Sequence, residues 1–377
     1  MSRREPIFNQ TELQRVVAEQ NLDAFVARSG RNVAYLSGMN FPGTLGRLQD
    51  FANAPRAALV VAQRGGEPAL FVSNIARGLA ERLSWIEDIR SYTDYVESPY
   101  AAVARELRER GLDKGRIGVE RREFGVDNWQ AFASELPHAE LVDITDLLEG
   151  VRNIKTEAEI ALMRTAVEIQ DEAHLDVFRT ARRGDTEKKL HTRMIAAMLR
   201  LGAESAHGML QASTNPVTYG GEGTTPIERG VAVRTDYVCY YQGYAANLSR
   251  MAVMGPPSAE QEARYQTLLG VHRATIDQML RPGVAASAVW EFVRERFIAA
   301  GFEWNVGLVG HSTGVWWHQE EPMLVPNESR TLRPNMVVCL EPILEGFWHL
   351  QDQILITNND PVILSDRFGI DQLFVMG

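Results

Sequence analysis

Three short segments in the second half of the chain concentrate side chains able to move protons or hold cations. In RTDYVCYYQGYAANLSRM (residues 234–251), Asp236 and Asn247 flank a turn at Gly243. If the two flanking stretches pair as strands, both side chains can point into one cleft. In GHSTGVWWHQEEP (residues 310–322), His311 and His318 stand seven apart, with glycines on both sides of the first. Glycine there suggests a backbone that must bend or let something approach closely. In CLEPILEGFWHLQDQILIT (residues 339–357), Glu341 precedes a proline, and Gln351, Asp352 and Gln353 head an apolar strand. A carboxylate in such a strand is costly unless it is paired or ligating. Each residue also has a plainer role: an Asp or Asn near a hairpin satisfies turn backbone, and His318 and His349, each beside a tryptophan, fit a packed core.

The elements that must position these residues fall into two textures. In the first part, a helix over 11–20, strands over 23–27, 57–62 and 69–72, and a helix over 100–110 alternate, which implies an α/β sheet domain closing near 142–148. From Thr156 a long amphipathic helix begins, with Thr156 and Glu159 as a capping box. Helices over 187–201, 259–280 and 287–299 follow, with strand pairs 232–241/244–254 and 336–342/353–357 between and after them. The expected domains are residues 1–150, an α/β N-terminal domain, and 151–377, an α+β C-terminal domain. A length of 377 residues suits two such domains.

Composition narrows the function classes. The chain is 45% hydrophobic and 23% charged, ordinary for a globular protein, and 39 basic against 49 acidic residues give a formal charge of -10. That balance argues against a nucleic-acid partner. Cys239 and Cys339 lie in apolar runs without zinc-type spacing, which suits a reducing compartment. No stretch has the length of a membrane span, and no apolar stretch follows the basic residues at the N-terminus. A cytoplasmic protein acting on a small molecule, with no membrane partner, is the expectation.

Several motifs, in order, resemble the pita-bread family of creatinase, prolidase, aminopeptidase P and methionine aminopeptidase. GVAVRTDYVCYYQGYAANLSR (230–250) is similar to the family's GDxVxxDxGxxxxGYxSDxTR. GHSTGVWWH from Gly310 is similar to GHGxGxxxH, LEPIL from Leu340 to IEPxI, and RNIKTEAEIALMRTA from Arg152 to RxIKSxxEIxxMRxA. NVAYLSG at Asn32 resembles the NxxYLTG of the first domain in the creatinase and prolidase branch. The resemblance implies a pita-bread fold for the C-terminal domain and a homodimer whose first domain helps close the neighbour's site, with Phe41 or Arg47 reaching the substrate.

The departures bear on function. Metal-dependent members hold two divalent ions with two Asp, one His and two Glu. Carried over, these are Asp236, Asn247 in place of the second Asp, His311, Glu341, and Gln351 in place of the second Glu. Two carboxylates offset one divalent ion and not two. No cofactor, or at most one divalent cation on Asp236, His311 and Glu341, is expected. That state resembles metal-free creatinase. The family's proton-transfer histidine falls at Tyr219, a phenol whose ordinary pKa of about 10 makes it a poor base at neutral pH. His318 is then the preferred proton shuttle, with His311, Asp236 and Glu341 the other catalytic candidates.

Asn247 and Gln351 would donate hydrogen bonds to substrate. Tyr219, Tyr241, Trp316 and Trp317 would line the pocket, and with Tyr237, Tyr240, Tyr244 and Trp348 could box a methylated ammonium or sulfonium group. The function expected is hydrolysis of a C–N bond in a small amino-acid-like, guanidino or ammonium compound. The alternatives are a metal-dependent Xaa-Pro dipeptidase, a lyase on a sulfonium substrate, and an inactive binding homologue.

Overall fold

A computed structural model describes residues 5–41, 43–49, 51 and 55–377. The chain divides into two compact units, Met1–Arg152 and Asn153–Gly377. The first is built on a six-stranded mixed sheet: β1 (Ala24–Ala27), β2 (Leu59–Gln63), β3 (Ala69–Ser73), β4 (Asp88–Tyr92), β5 (Arg116–Val119) and β6 (Glu140–Asp143), in the order β4-β3-β2-β1-β5-β6. Strands β1, β2 and β3 pair antiparallel, while β3–β4, β1–β5 and β5–β6 pair parallel. Helices Pro99–Glu109 and Val126–Glu135 contribute Val103, Leu107 and Phe132 to its apolar core.

The second unit carries the candidate residues. One sheet contains β7 (Ser205–Ala212), β8 (Ala232–Tyr241), β9 (Tyr244–Leu248) and β10 (Met251–Met254). Another contains β11 (Gly310–Ser312), β12 (Glu320–Met323), β13 (Val337–Leu340) and, after the short hairpin β14 (Ile343–Leu344) and β15 (Trp348–His349), β16 (Asp352–Leu355). Bridges at Ser249–Gln351 and Tyr244–Val315 join the two. Helix Glu157–Thr180 packs on β8 and β9, and begins with the expected capping box: Thr156 Oγ1 accepts from Glu159 N at 3.2 Å, and Glu159 Oε2 accepts from Thr156 N at 2.8 Å.

Two glycines explain local shape. β8 and β9 are joined by Gln242 and Gly243, both left-handed (φ 48° and 82°), the geometry of a two-residue hairpin turn. At Gly310 an added Cβ would lie 2.3 Å from the Cys339 carbonyl oxygen, so only glycine lets β11 pass this close to β13. β7 has no counterpart among the sequence expectations. SAHGMLQA neither alternates cleanly nor is rich in β-branched residues, and its strand state comes from eight pairings with β8.

Candidate active site

The register of β7, β8 and β9 sets one wall of the site. Val238 opposes Asn247 on β9 and His207 on β7, and Asp236 opposes Met209. Side chains alternate along a strand, so Asp236, Val238, Asn247 and His207 share one face. That face lines a cavity of about 720 Å³, together with Tyr219, His318, Glu341 and His349.

Asp236 is held from both sides. Asn247 Nδ2 donates to its Oδ1 and the Tyr219 hydroxyl to its Oδ2, each at 3.1 Å. Asn247 Nδ2 also donates to the Tyr237 carbonyl oxygen at 3.0 Å. A backbone carbonyl can only accept, which orients the amide, and leaves Oδ1 to accept from Gln351 Nε2 at 2.8 Å. Both N–H bonds of Asn247 are therefore committed within the protein. Gln351 is wholly buried, and it acts on the cavity through Asn247. The roles expected for Asn247 and Gln351, donors to substrate, do not match this arrangement.

The opposite wall is differently made. His311 Nδ1 meets the Ser312 carbonyl oxygen at 2.9 Å, and His349 Nδ1 meets Ser249 Oγ at 2.9 Å. Ser249 donates its own hydrogen to the Thr235 carbonyl oxygen. Both rings thus carry their hydrogen on Nδ1 and present the Nε2 lone pair elsewhere. The two Nε2 atoms face Glu341, at 3.6 Å from Oε1 and 3.8 Å from Oε2. These gaps exceed a hydrogen bond, and His311 Nε2, His349 Nε2 and Glu341 Oε1 are buried without a hydrogen-bond partner.

Desolvation dominates the electrostatics. It raises Asp236 above the ordinary carboxylate range, opposed by the Asn247 and Tyr219 hydrogen bonds. Burial, and then the nearby Asp236 charge, push Glu341 well above its usual value. Burial lowers His311 to about 4, His318 to about 3, His207 below its usual value and His349 well below it. Tyr219 is pushed up to about 12 by burial and Asp236. The imidazoles are therefore neutral at neutral pH, and burial makes each a weaker base than an exposed one.

His318 lies at the centre of a histidine group, with ring centroids 5.6 Å from His207 and 5.9 Å from His311. Of the metal-type residues, Asp236, His311 and Glu341 keep ligand chemistry. Asn247 turns N–H groups toward Asp236, so a paired-ion centre bridged at that position does not fit the donor set.

The aromatic box is not formed. Tyr241, Trp316 and Trp317 are not among the residues lining the cavity. Tyr237 and Tyr244 lie one residue out of phase with Asp236 and Asn247, so they face the other side of the sheet. There the Tyr237 hydroxyl meets His191 Nδ1 at 2.9 Å, and the Tyr244 hydroxyl donates to Glu159 at 3.1 Å. Trp348 is part of the apolar core, and Trp317 is 43% exposed. Phe41 is buried within the N-terminal unit, and the Arg47 side chain lies outside the described residues.

Two cavity residues escaped the sequence reading. His207 sits on the unforeseen β7. His349 looked like a packed histidine beside Trp348, and its adjacency to Glu341 depends on the β14–β15 hairpin. A histidine two residues before the glutamine of the metal-type pattern was the available signal.

Comparison with known proteins bears on this site. Residues 10–154 match the Creatinase/Prolidase N-terminal domain and residues 161–366 match Metallopeptidase family M24. Among curated relatives, an Xaa-Pro dipeptidase of Lactobacillus delbrueckii subsp. lactis is 26% identical over 334 residues, 85% of this chain and 88% of its own length. A creatinase of a Bacillus species is 27% identical over 361 residues, 91% of this chain and 84% of its own. Among solved structures, an X-Pro aminopeptidase from Thermotoga maritima superposes with a TM-score of 0.82 at 20% identity, covering 98% of this chain and 99% of that one. Its likeness extends to the fold.

Proposed function

The chain belongs to metallopeptidase family M24, a family of hydrolases, and we propose that within it this protein cleaves a C–N bond of a small amino-acid-like compound without a paired-metal centre. The observation that carries this reading is the amide chain Gln351–Asn247–Asp236, which stands where metal-dependent members would have bridging carboxylates. Asp236 and Glu341 supply two negative charges, enough for one divalent ion at most.

In this reading His318 moves the proton. It borders the cavity as a neutral imidazole; burial, with His311 and His207 beside it, lowers it to about 3, so it is a weak base whose imidazolium, once formed, readily gives its proton to the leaving nitrogen. His207, beside His318, occupies the cavity in place of the histidine that Tyr219 replaces. Tyr219, bonded to Asp236, contributes orientation and not base strength.

The names of the curated relatives favour a second reading, a metal-dependent Xaa-Pro dipeptidase with one ion on Asp236, His311 and Glu341. One experiment separates them: elemental analysis of protein purified without chelators, followed by turnover of Xaa-Pro dipeptides and guanidino acids with and without EDTA. The proposal expects less than one metal per chain and turnover that survives EDTA. Two ions per chain, or activity abolished by EDTA and restored by manganese, would sink it. A homodimer in the cytoplasm is the setting we propose, and sedimentation tests the assembly.

A further inference from the structure

Tyr219 meets Asp236 from a loop with few bonds of its own to hold it there. Residues 213–222 link the end of β7 at Ala212 to Gly223, and among the described residues 216–221 is hydrogen-bonded outside the loop through the Tyr219 hydroxyl alone. Tyr219 is left-handed, with φ 58°. An aromatic residue keeps that conformation only where its surroundings impose it. The anchor of those surroundings is Glu187, the first residue of helix Glu187–Arg200, which is 3% exposed and not among the residues lining the cavity. Its Oε1 accepts from Ala212 N at 2.6 Å and its Oε2 from Gly223 N at 2.5 Å, so one carboxylate binds both feet of the loop. Asn215 Nδ2 donates to Oε1 at 3.2 Å and to Oε2 at 3.1 Å.

We propose that Glu187 is a positioning residue for the reaction: it clamps both feet of loop 213–222 and so delivers the Tyr219 hydroxyl to Asp236. This rests on the hydrolase reading above, in which Tyr219 orients Asp236, and adds to it a residue that acts through the loop. A buried carboxylate is costly without partners. Those of Glu187 are N–H donors and the helix N-terminus at which it stands, and among the described residues no cation pairs with it. A carboxylate accepts on both oxygens, whereas glutamine would turn an N–H group on one of the feet. Gly223 adds an independent observation. It is not left-handed, and an added Cβ would lie 2.8 Å from Glu187 Oε2, so its missing side chain serves this contact. A second tie braces the far foot one turn along the same helix, where His191 Nδ1 lies 3.0 Å from Glu222 Oε1.

The test reads Tyr219 directly. In protein labelled with 3-fluorotyrosine, fluorine NMR assigns the Tyr219 line by its loss in Tyr219→Phe, and Asp236→Ala gives the line position without the acceptor. Glu187→Gln is expected to move the Tyr219 line at least halfway to that position. Gly223→Ala, which crowds the carboxylate without removing it, should move the line by a smaller step in the same direction. Far-ultraviolet circular dichroism checks that each variant is folded, and Gly223→Ala decides the matter if Glu187→Gln does not fold. A Tyr219 line unmoved in the folded variants overturns the clamp while leaving the hydrolase reading intact. Turnover gives the second readout: Glu187→Gln should lower kcat about tenfold in the wild-type background and less than about twofold on top of Tyr219→Phe, with little change in KM. An equal loss in both backgrounds, or a displaced line with kcat unchanged, overturns the positioning role. Absence of turnover of any compound by the wild type removes the hydrolase reading instead, and the fluorine line still decides the clamp.

Discussion

The two walls of the cavity are built on opposite principles. On the β8–β9 wall the carboxylate is fully engaged: Tyr219 and Asn247 hold Asp236, and Gln351 holds Asn247. On the wall made by β11, β15 and Glu341, the polar atoms face one another across gaps with no partner between them. Hydrogen bonds fix the geometry of the first wall around Asp236, although Gln351 Oε1 behind it is buried without a partner, and the second wall has no such bonds at these atoms. The contrast teaches that amide side chains can organise a carboxylate by hydrogen bonds on one wall of a cavity whose other wall holds its polar atoms apart.

The sharpest way to break this contrast is to restore the lost charges. Asn247→Asp with Gln351→Glu should convert the engaged wall into a metal-type one, raising manganese content from below one to about two ions per chain by elemental analysis. Failure to gain metal would mean that the walls differ for some reason other than charge. Next in size, His318→Ala should lower kcat by about 10²–10⁴-fold with little change in KM, read on whichever compound of the substrate panel is turned over. A tenfold loss or less would remove His318 from proton transfer.

Stability probes the engaged wall. Asn247→Ala leaves Gln351 Nε2 and one oxygen of Asp236 without a partner, while the Tyr237 carbonyl keeps its bond from Gln170 Nε2 at 2.6 Å, and should cost about 3 kcal/mol in urea unfolding; a loss below about 1 kcal/mol would mean that the network is looser than its distances. A smaller, pH-dependent effect concerns His174 behind β8. Burial, with the Arg250 charge, lowers it to about 3, and its ring meets the Gln170 carbonyl and Thr235 Oγ1. Its folded value lies below the unfolded value of about 6.5. As pH falls through 6.5 the unfolded chain takes up a proton that the folded chain refuses, so stability falls on acidification, by up to about 1.4 kcal/mol per pH unit. Wild type and His174→Gln should converge in urea midpoint between pH 7.5 and 5, and parallel curves would refute the assignment.

Much of the engaged wall was legible in the primary structure. The turn at Gly243 implied the hairpin, the hairpin implied that Asp236 and Asn247 share a cleft, and Thr156 with Glu159 announced a helix start. These are local signals, set by a few consecutive residues and by backbone conformations that few side chains adopt. The opposite wall was not legible. His349 meets Ser249 across 100 positions, and His207 enters through a strand whose own residues do not demand extension.

The amino-acid sequence by itself determined which ionisable groups were available, how many negative charges they can carry, and that amides stand at positions 247 and 351, because these are properties of residue identity. Only the tertiary structure decided which way each side chain faces. It sent Tyr237 and Tyr244 away from the cavity, brought His207 and His349 to it, and turned two imidazole lone pairs onto one carboxylate. Strand register, hydrogen-bond direction and contacts between distant segments exist only once the sheets have assembled.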